Sequence, residues 1–421
     1  MTTWNSDAYS TETLDYLNSR PREARVSLGQ FITPRVLREQ LLDRIDLRPG
    51  MRVLDPGVGT GEFLADCFQR EGSLYLEGWD VDPQAAEVAQ RLVPNAKIEV
   101  QSALDVAWQE TFDVIVGNPP YFEVKGLPPE ARNRFSGVIS GRPNIFAFFF
   151  QVGLEMLVSG GRLAYVVPPS MNNGAYFDAL RSFISGRAEI EFLRVMPGDR
   201  FFEDAQTAVQ LIVLRKGGRG RKHLVDIGSV AAAPRHRVIF AENPDAIESE
   251  FVERSTLWNL GFEVTTGTVV WNTKKDLLRR SKTEGCFPLL WAHNIGAEGE
   301  LQLIDDHPKK LQWLESSVSQ TGPAIIVNRI SGSVGSGSLR CAFVPEGVNF
   351  LAENHVNVIK ARDGWNQAVG WPELMDLLRR PEVSRRVQLL TGNTQVSATE
   401  LNFFLPLDTS LAADAVAETL F

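Results

Sequence analysis

Through its first half the chain alternates short apolar runs with longer stretches of helical periodicity, and this alternation restricts the fold more than any other feature. Strand-like runs occur at 51–55 ("MRVLD"), 74–80 ("LYLEGWD"), 96–100 ("AKIEV"), 112–117 ("FDVIVG"), 161–168 ("GRLAYVVP"), 190–196 ("IEFLRVM") and 207–215 ("TAVQLIVLR"). Helices are predicted over 62–70, 83–92, 144–158 and 175–186. Strands and helices in alternation pack as a doubly wound, mostly parallel α/β sheet. With 421 residues the chain exceeds what one core ordinarily serves, so two domains are expected. "KGGRGRK" (216–222) reads as a basic linker, and the pattern beyond it turns irregular. The expectation is therefore a first domain over 1–222 and a C-terminal, mixed α+β domain over 223–421.

Several function classes are disfavoured at once. The net charge of −9 argues against nonspecific nucleic-acid binding, although a local basic face would still permit specific binding. The opening "MTTWNSDAYSTETLDYL" has neither a basic start nor an apolar run, so no signal peptide is expected. No segment approaches the ~18–20 apolar residues of a membrane span. Three scattered cysteines, Cys67, Cys286 and Cys341, suit a reducing cytoplasm and form no zinc pattern. All five histidines lie at or after His223, so a centre in the first half must work without imidazole, and no metal is expected.

Two stretches carry chemistry. In "VLDPGVGTGEF" (53–63) a strand runs through Gly57, Gly59 and Gly61 into a helix, a turn that lets backbone approach a ligand closely. Asp80 ends the next strand nineteen residues after Gly61, where a carboxylate can accept both hydroxyls of a ribose. Asp82 reads as a helix N-cap. In "FDVIVGNPPYFEV" (112–124) a core strand ends in an amide, two prolines and an aromatic. Each proline fixes its own φ and drives the preceding residue to an extended conformation, so Asn118 and Pro119 sit in a stiff loop able to aim acceptors.

Asp55-Pro56 and the glycine loop resemble motif I of S-adenosylmethionine-dependent methyltransferases. In that family the acidic residue and the loop hold the cofactor's methionine part, and the second acidic residue holds its ribose. "GNPPY" looks like motif IV of amino-methyltransferases, which act on a nitrogen whose lone pair is delocalised. The Asn118 side-chain oxygen and the Pro119 carbonyl, stiffened by Pro120, would accept that nitrogen's hydrogens and favour in-line attack on the methyl group. Tyr121 would offer a face to a planar base, worth roughly 1–3 kcal/mol.

"SLGQFITP" (27–34) resembles motif X of the gamma-type N6-adenine DNA methyltransferases, including the TaqI type, and implies cofactor contacts from Phe31, Thr33 and Pro34. Without the family, Thr33-Pro34 reads as a helix start, with Thr33 as N-cap. "RPNIFAFFFQVGLEMLVSGGRLAYVVPPS" (142–170) resembles the next motifs. Its phenylalanines read mostly as core, with Phe149 the one placed to border the cofactor's adenine. "DRFFEDAQTAVQLIVL" (199–214) is similar to motif VIII, which supplies a second stacking aromatic, either Phe201 or Phe202. The family often has an aspartate after the third strand to contact the cofactor's adenine. Here Ser102 stands at that place with Asp105 three residues on, and Val81, Ala103, Asn118 and Pro120 complete the implied cofactor contacts.

Residues 223–421 resemble the target-recognition region of TaqI-type enzymes. Arg379, Arg380, Arg385, Arg386, Arg329 and Asn328 are candidates for DNA contact there, with solvated surface an equal reading for each. This domain holds 18 Lys and Arg against 24 Asp and Glu, a net of −6, so binding would need a concentrated basic cleft. The resemblance implies a cytoplasmic, sequence-specific methyltransferase acting on adenine N6 in double-stranded DNA by base flipping, with S-adenosylmethionine as cofactor and a cognate restriction endonuclease as partner. The alternatives are N4-cytosine methylation, glutamine N5-methylation of release factors, an RNA amino-methyltransferase, and a DNA-binding module without catalysis.

Overall fold

The computed structural model describes residues 8–27, 29–141, 143–196, 208–228, 236–251, 255–305, 307, 309–329, 339–364, 369–391 and 395–409. The chain divides into two compact units, Met1–Val225 with Val238–Pro244, and Asp226–Arg237 with Asp245–Phe421.

The first unit is built on seven strands: β1 (Arg52–Asp55), β2 (Tyr75–Asp80), β3 (Lys97–Val100), β4 (Phe112–Gly117), β5 (Leu157–Val167), β6 (Ala188–Met196) and β7 (Val209–Lys216). Their order is β3-β2-β1-β4-β5-β7-β6, with all neighbours parallel except β7, which runs antiparallel to both β5 and β6. The sheet is mostly parallel and doubly wound, with helices on both faces. Strand order reverses between β1 and β4, which opens a crevice at their carboxyl ends, where ligands bind in such sheets.

The strands alternate between two cores. Leu54 and Ile115 face one, with Phe146, Phe148 and Phe150 of a helix over Ile145–Met156. Val53, Val114 and Val116 face the other, with Leu37, Leu41, Phe63 and Leu64. Asp113, which interrupts the apolar run of β4, accepts the Arg52 backbone N–H at 2.8 Å, so its carboxylate is used at the edge of the pattern without disturbing it. The phenylalanine-rich helix is apolar all round because it is buried, and Asn144 caps its first turn. It ends at Met156, two residues earlier than expected, because Leu157 already pairs with Phe112 and starts β5 four residues early. The predicted helix at 175–186 is shorter too, Asp178–Ser185, preceded by a 3-10 turn at Ala175–Phe177.

In the second unit an antiparallel sheet orders Phe262–Thr266, Val356–Ala361, Ala324–Asn328 and Cys341–Val344 side by side. A five-stranded sheet orders Leu278–Arg279, Trp313–Glu315, Cys286–Leu290, Asn349–Ala352 and Gln320–Thr321. Three helices follow, Trp371–Arg379, Pro381–Thr391 and Ala398–Phe403, which makes the unit mixed α+β. The Asn402 amide completes the exposed edge of the first strand, donating to the Val264 carbonyl at 2.9 Å and accepting its N–H at 2.8 Å.

Phe148 is fully buried and stacks on Phe135 with ring centroids 4.5 Å apart. Phe148→Ala is expected to cost about 3–5 kcal/mol of stability in the first unit, read as a lower denaturant midpoint by tryptophan fluorescence.

Candidate active site

A cavity opens at the carboxyl ends of β1, β2 and β4, lined by residues from six separate parts of the chain. Asp55 ends β1 and is 2 % exposed. One of its oxygens accepts the Gly57 N–H at 3.1 Å. Burial pushes its carboxyl up to about 8, against the lowering effect of the Gly57 bond and with a further push from Asp80. Asp80 ends β2 and accepts the Gly59 N–H at 2.9 Å and the Asp82 N–H at 2.8 Å. Burial raises it as well, although those backbone bonds oppose the shift. Asp82 caps the helix Pro83–Leu92 through the Gln84 N–H and lies outside the cavity lining. Burial alone would raise its carboxyl, but bonds from Gln30 and Tyr16 and the nearby Arg20 hold it below the usual value.

Gly117 closes β4 at φ +152°, and a Cβ there would lie 2.7 Å from an Asp55 oxygen. Only glycine lets β4 end level with β1 and leaves the carboxyl of Asp55 room. Directly after it, the Asn118 amide nitrogen donates to the Phe31 carbonyl at 2.6 Å. The amide's orientation is thereby set, with Oδ1 on the opposite side, where it accepts from the Tyr121 hydroxyl. That hydroxyl also lies 2.8 Å from the Val166 carbonyl. It carries one proton, so it serves one of the two acceptors at a time. Tyr121 is half-buried. Its ring lies parallel to Phe31 at 6.2 Å and meets the edge of Phe146 at 6.3 Å.

The segment before β1 holds this loop in place. Gly29 has φ +66°, and a Cβ there would meet the Pro120 Cβ at 2.9 Å and the Phe122 ring at 3.0 Å. The proline loop therefore rests directly on the Gly29 backbone. Thr33 is buried, lines the cavity, and its hydroxyl finds no partner among the described residues. It is not the N-cap expected from Thr33-Pro34. Pro34 takes that position and the helix begins at Arg35, because the Thr33 carbonyl is engaged by Arg38 at 2.5 Å.

The expected cofactor residues Phe31, Thr33, Asp55, Pro56, Gly57, Gly59, Asp80, Val81, Ser102, Ala103, Asn118 and Pro120 all line this one cavity, and Phe149 borders it as well. Gly61 stands just behind it, as the left-handed N-cap of the helix Glu62–Arg70. Pro34, Pro119 and Tyr121 do not line it, and neither does Asp105, which is exposed. Ser102 is therefore the residue of that pair at the cavity wall. Phe201 and Phe202 lie outside the described residues.

Sequence reasoning missed a buried ion cluster beneath the cavity. Arg38, fully buried, pairs with Asp66 at 2.6 Å and with Glu62 at 2.8 Å. Glu62 also accepts the Ser10 N–H at 2.7 Å. Arg38 and Glu62 both line the cavity. The only available signal was a charged residue on the apolar face of a helix, which does not identify its partners. The arginines of the second unit fare differently from their sequence reading. Arg386 is buried, paired with Glu250 at 3.1 Å and with Asp408 at 2.7 Å, and Arg385 pairs with the same Glu250. Arg379 pairs with Glu298 at 3.1 Å, and Asn328 is buried, accepting the Arg340 N–H. Arg386 and Asn328 are thus structural, not a DNA-facing surface.

The donors and acceptors at the cavity suit S-adenosylmethionine. The cavity wall combines the Thr33 hydroxyl, which has no partner among the described residues, the acids Asp55, Glu62 and Asp80, and the apolar Val81 and Phe149. Bound there, the cofactor supplies an electrophilic methyl group on sulfur. Without ligand, the raised Asp55 carboxyl makes a defined pH signature. The folded chain retains this proton where the unfolded chain, with an ordinary value of 3.8, has lost it. The stability it contributes is complete below pH 3.8 and is lost as pH rises through about 8. The ligand-free protein is expected to lose stability over this window relative to Asp55→Asn, measured by chemical unfolding at a series of pH values. A constant difference between the two would contradict the buried, protonated Asp55.

Residues 89–202 match the family model described as Eco57I restriction-modification methylase. The chain is similar to modification methylase CviBIII of Paramecium bursaria Chlorella virus NC1A, with 23% identity covering 93% of this chain and 97% of that one. It is also similar to type II methyltransferase M.CvrRI of Paramecium bursaria Chlorella virus XZ-6E, with 24% identity covering 84% and 89%. Type II methyltransferase M.TthHB8I of Thermus thermophilus is 32% identical over 48% of each chain. Residues 89–202 are thus similar to a restriction-modification methylase domain of the Eco57I kind, the chain's relatives include type II methyltransferases, and the expected cofactor is S-adenosylmethionine.

Proposed function

We propose that the protein is a sequence-specific DNA methyltransferase of a restriction–modification system, transferring a methyl group from S-adenosylmethionine to N6 of an adenine turned out of double-stranded DNA. The observation that carries this reading is the Asn118 amide, held by the Phe31 carbonyl so that Oδ1 points away at the end of a proline-stiffened loop beside the cavity. An exocyclic amino group conjugated to a ring is a weak nucleophile. Two acceptors on its hydrogens, Asn118 Oδ1 and the Pro119 carbonyl, draw it towards tetrahedral geometry and free its lone pair for in-line attack. Oδ1 has two lone pairs, and the Tyr121 hydroxyl can turn its hydrogen bond to the Val166 carbonyl at 2.8 Å, which leaves both free for the target nitrogen. The nitrogen sheds its extra proton after transfer, and no covalent intermediate on the protein is required.

In this reading Asp55, Glu62, Thr33 and the Gly57–Gly59 backbone hold the methionine part, Asp80 the ribose, and Ser102, Ala103, Val81 and Phe149 the adenine. Pro120 and Phe31 brace the loop, and Tyr121 with Phe201 or Phe202 forms the stack for the target base. A base inside a duplex cannot reach the loop, so it is flipped out, at a cost of a few kcal/mol that stacking partly offsets. The second unit is the target-recognition domain, double-stranded DNA the partner, a cognate endonuclease the companion, and the cytoplasm the location. Among the described residues no helix is long and apolar enough to cross a membrane.

Nucleoside mass spectrometry on DNA from a host lacking adenine methylation tests the reading directly. Expression of the parent is expected to give N6-methyladenine, and Asn118→Ala is expected to give none. N4-methylcytosine instead would keep the site and change the base. Absence of both from DNA, with cofactor binding intact, would overturn the assignment to DNA.

A further inference from the structure

The second unit contains a ladder of four rings that no role above uses. Trp271 and Trp291 lie 6.1 Å apart, Trp291 and His293 stack at 6.0 Å, and His293 and His307 stack at 4.4 Å. Two lysines cap the indoles, Lys275 with its ammonium 5.5 Å from the Trp271 ring centre and Lys310 at 4.9 Å from that of Trp291. Neither lysine forms an ion pair with a described carboxylate. Lys282 over Trp313 and Lys360 over Phe350 are single contacts of the same kind, whereas Lys275 and Lys310 bring two ammonium groups to one ladder.

We propose that Lys275 and Lys310 are contacts to DNA backbone phosphates, which rests on the reading of the protein as a DNA methyltransferase. The ring faces are already covered: Trp291 is 1 % exposed, between Lys310 and His293, and Trp271 lies under Lys275. With Trp291 enclosed and Lys275 over Trp271, the ladder serves as a pedestal for the ammonium groups. A lysine held over an aromatic ring keeps its charge and its outward N–H donors, and has less rotational freedom to lose when an anion arrives. His293 is consistent with a positive field at this place. Burial, then His307 and Lys310, lower its imidazole to about 4, so at neutral pH it remains an uncharged ring in the stack. Contacts of this kind position a protein on a duplex without reading its sequence.

The test is the salt dependence of DNA binding. Affinity is measured by fluorescence anisotropy between about 50 and 200 mM salt, where counterion release dominates. Two duplexes are used, one containing the methylated sequence found by sequencing modified DNA and one scrambled. For the double variant K275A/K310A, binding is expected to weaken by the same factor on both duplexes. Its log–log salt slope is expected to be shallower by roughly 2, one for each phosphate that is no longer neutralised. The charge-preserving K275R/K310R is expected to retain the parental slope, which separates the effect of charge from that of packing. A parental slope in the alanine variant, or weakening confined to one duplex, would overturn the proposal while leaving the methyltransferase reading intact. No binding to either duplex by the parent would overturn both.

Discussion

The geometry of the site depends on how close two neighbouring strands end to one another. β1 finishes in Asp55 and β4 in Gly117, and the space a Cβ at Gly117 would need is occupied by the Asp55 carboxyl. Because that space is shared, Asp55 is buried and its carboxyl rises, and the chain leaves β4 in a direction that brings Asn118 within reach of the Phe31 carbonyl. Moving either strand end by one residue would undo both results. The prolines then extend the constraint outward, because each removes a soft torsion just where the amide must be aimed. Gly29 completes the arrangement from the far side by allowing the loop to rest on bare backbone.

Charge is distributed around the cavity in an uneven way. Asp55 and Asp80 are raised by burial, so neither is held as a carboxylate by a nearby cation. Arg38 instead sits under the floor with Asp66 and Glu62, where one cation faces two acids. Burying such a cluster is not a gain in stability by itself, since desolvation offsets most of the attraction. Its use is positional: Arg38 ties the Thr33 carbonyl to the helix that begins at the glycine loop.

Much of this was legible in the sequence because the deciding information is local. The strand-turn-helix at 53–63, the carboxylate at 80 and the amide-proline loop each carry their own signature within a dozen residues. The strands of the first unit fall where period and composition place them, and the early start of β5 came from a pairing with Phe112 that no local window contains. What could not be read was tertiary. Nothing near Arg38 names Asp66 or Glu62 as partners, and nothing near Tyr121 names Val166, yet these contacts decide how the site is held. The arginines at 379–386 show the converse error: a basic run looks like a DNA surface until Glu250 and Asp408 are seen to neutralise Arg386 in the interior.

That error also bears on how an acidic chain can hold a polyanion. Counting charges places the second domain at −6 and suggests a concentrated cleft of arginines, but an arginine matched by an acid contributes little field beyond its own pair. Unmatched charge matters more than total charge. Lysines over indoles satisfy this condition at little cost, because an aromatic face orders the ammonium without cancelling it. Aromatic residues clustered beside a few unpaired lysines are therefore a more useful sign of a phosphate-binding face here than the density of basic residues along the chain, and the ladder from Trp271 to His307 meets that description.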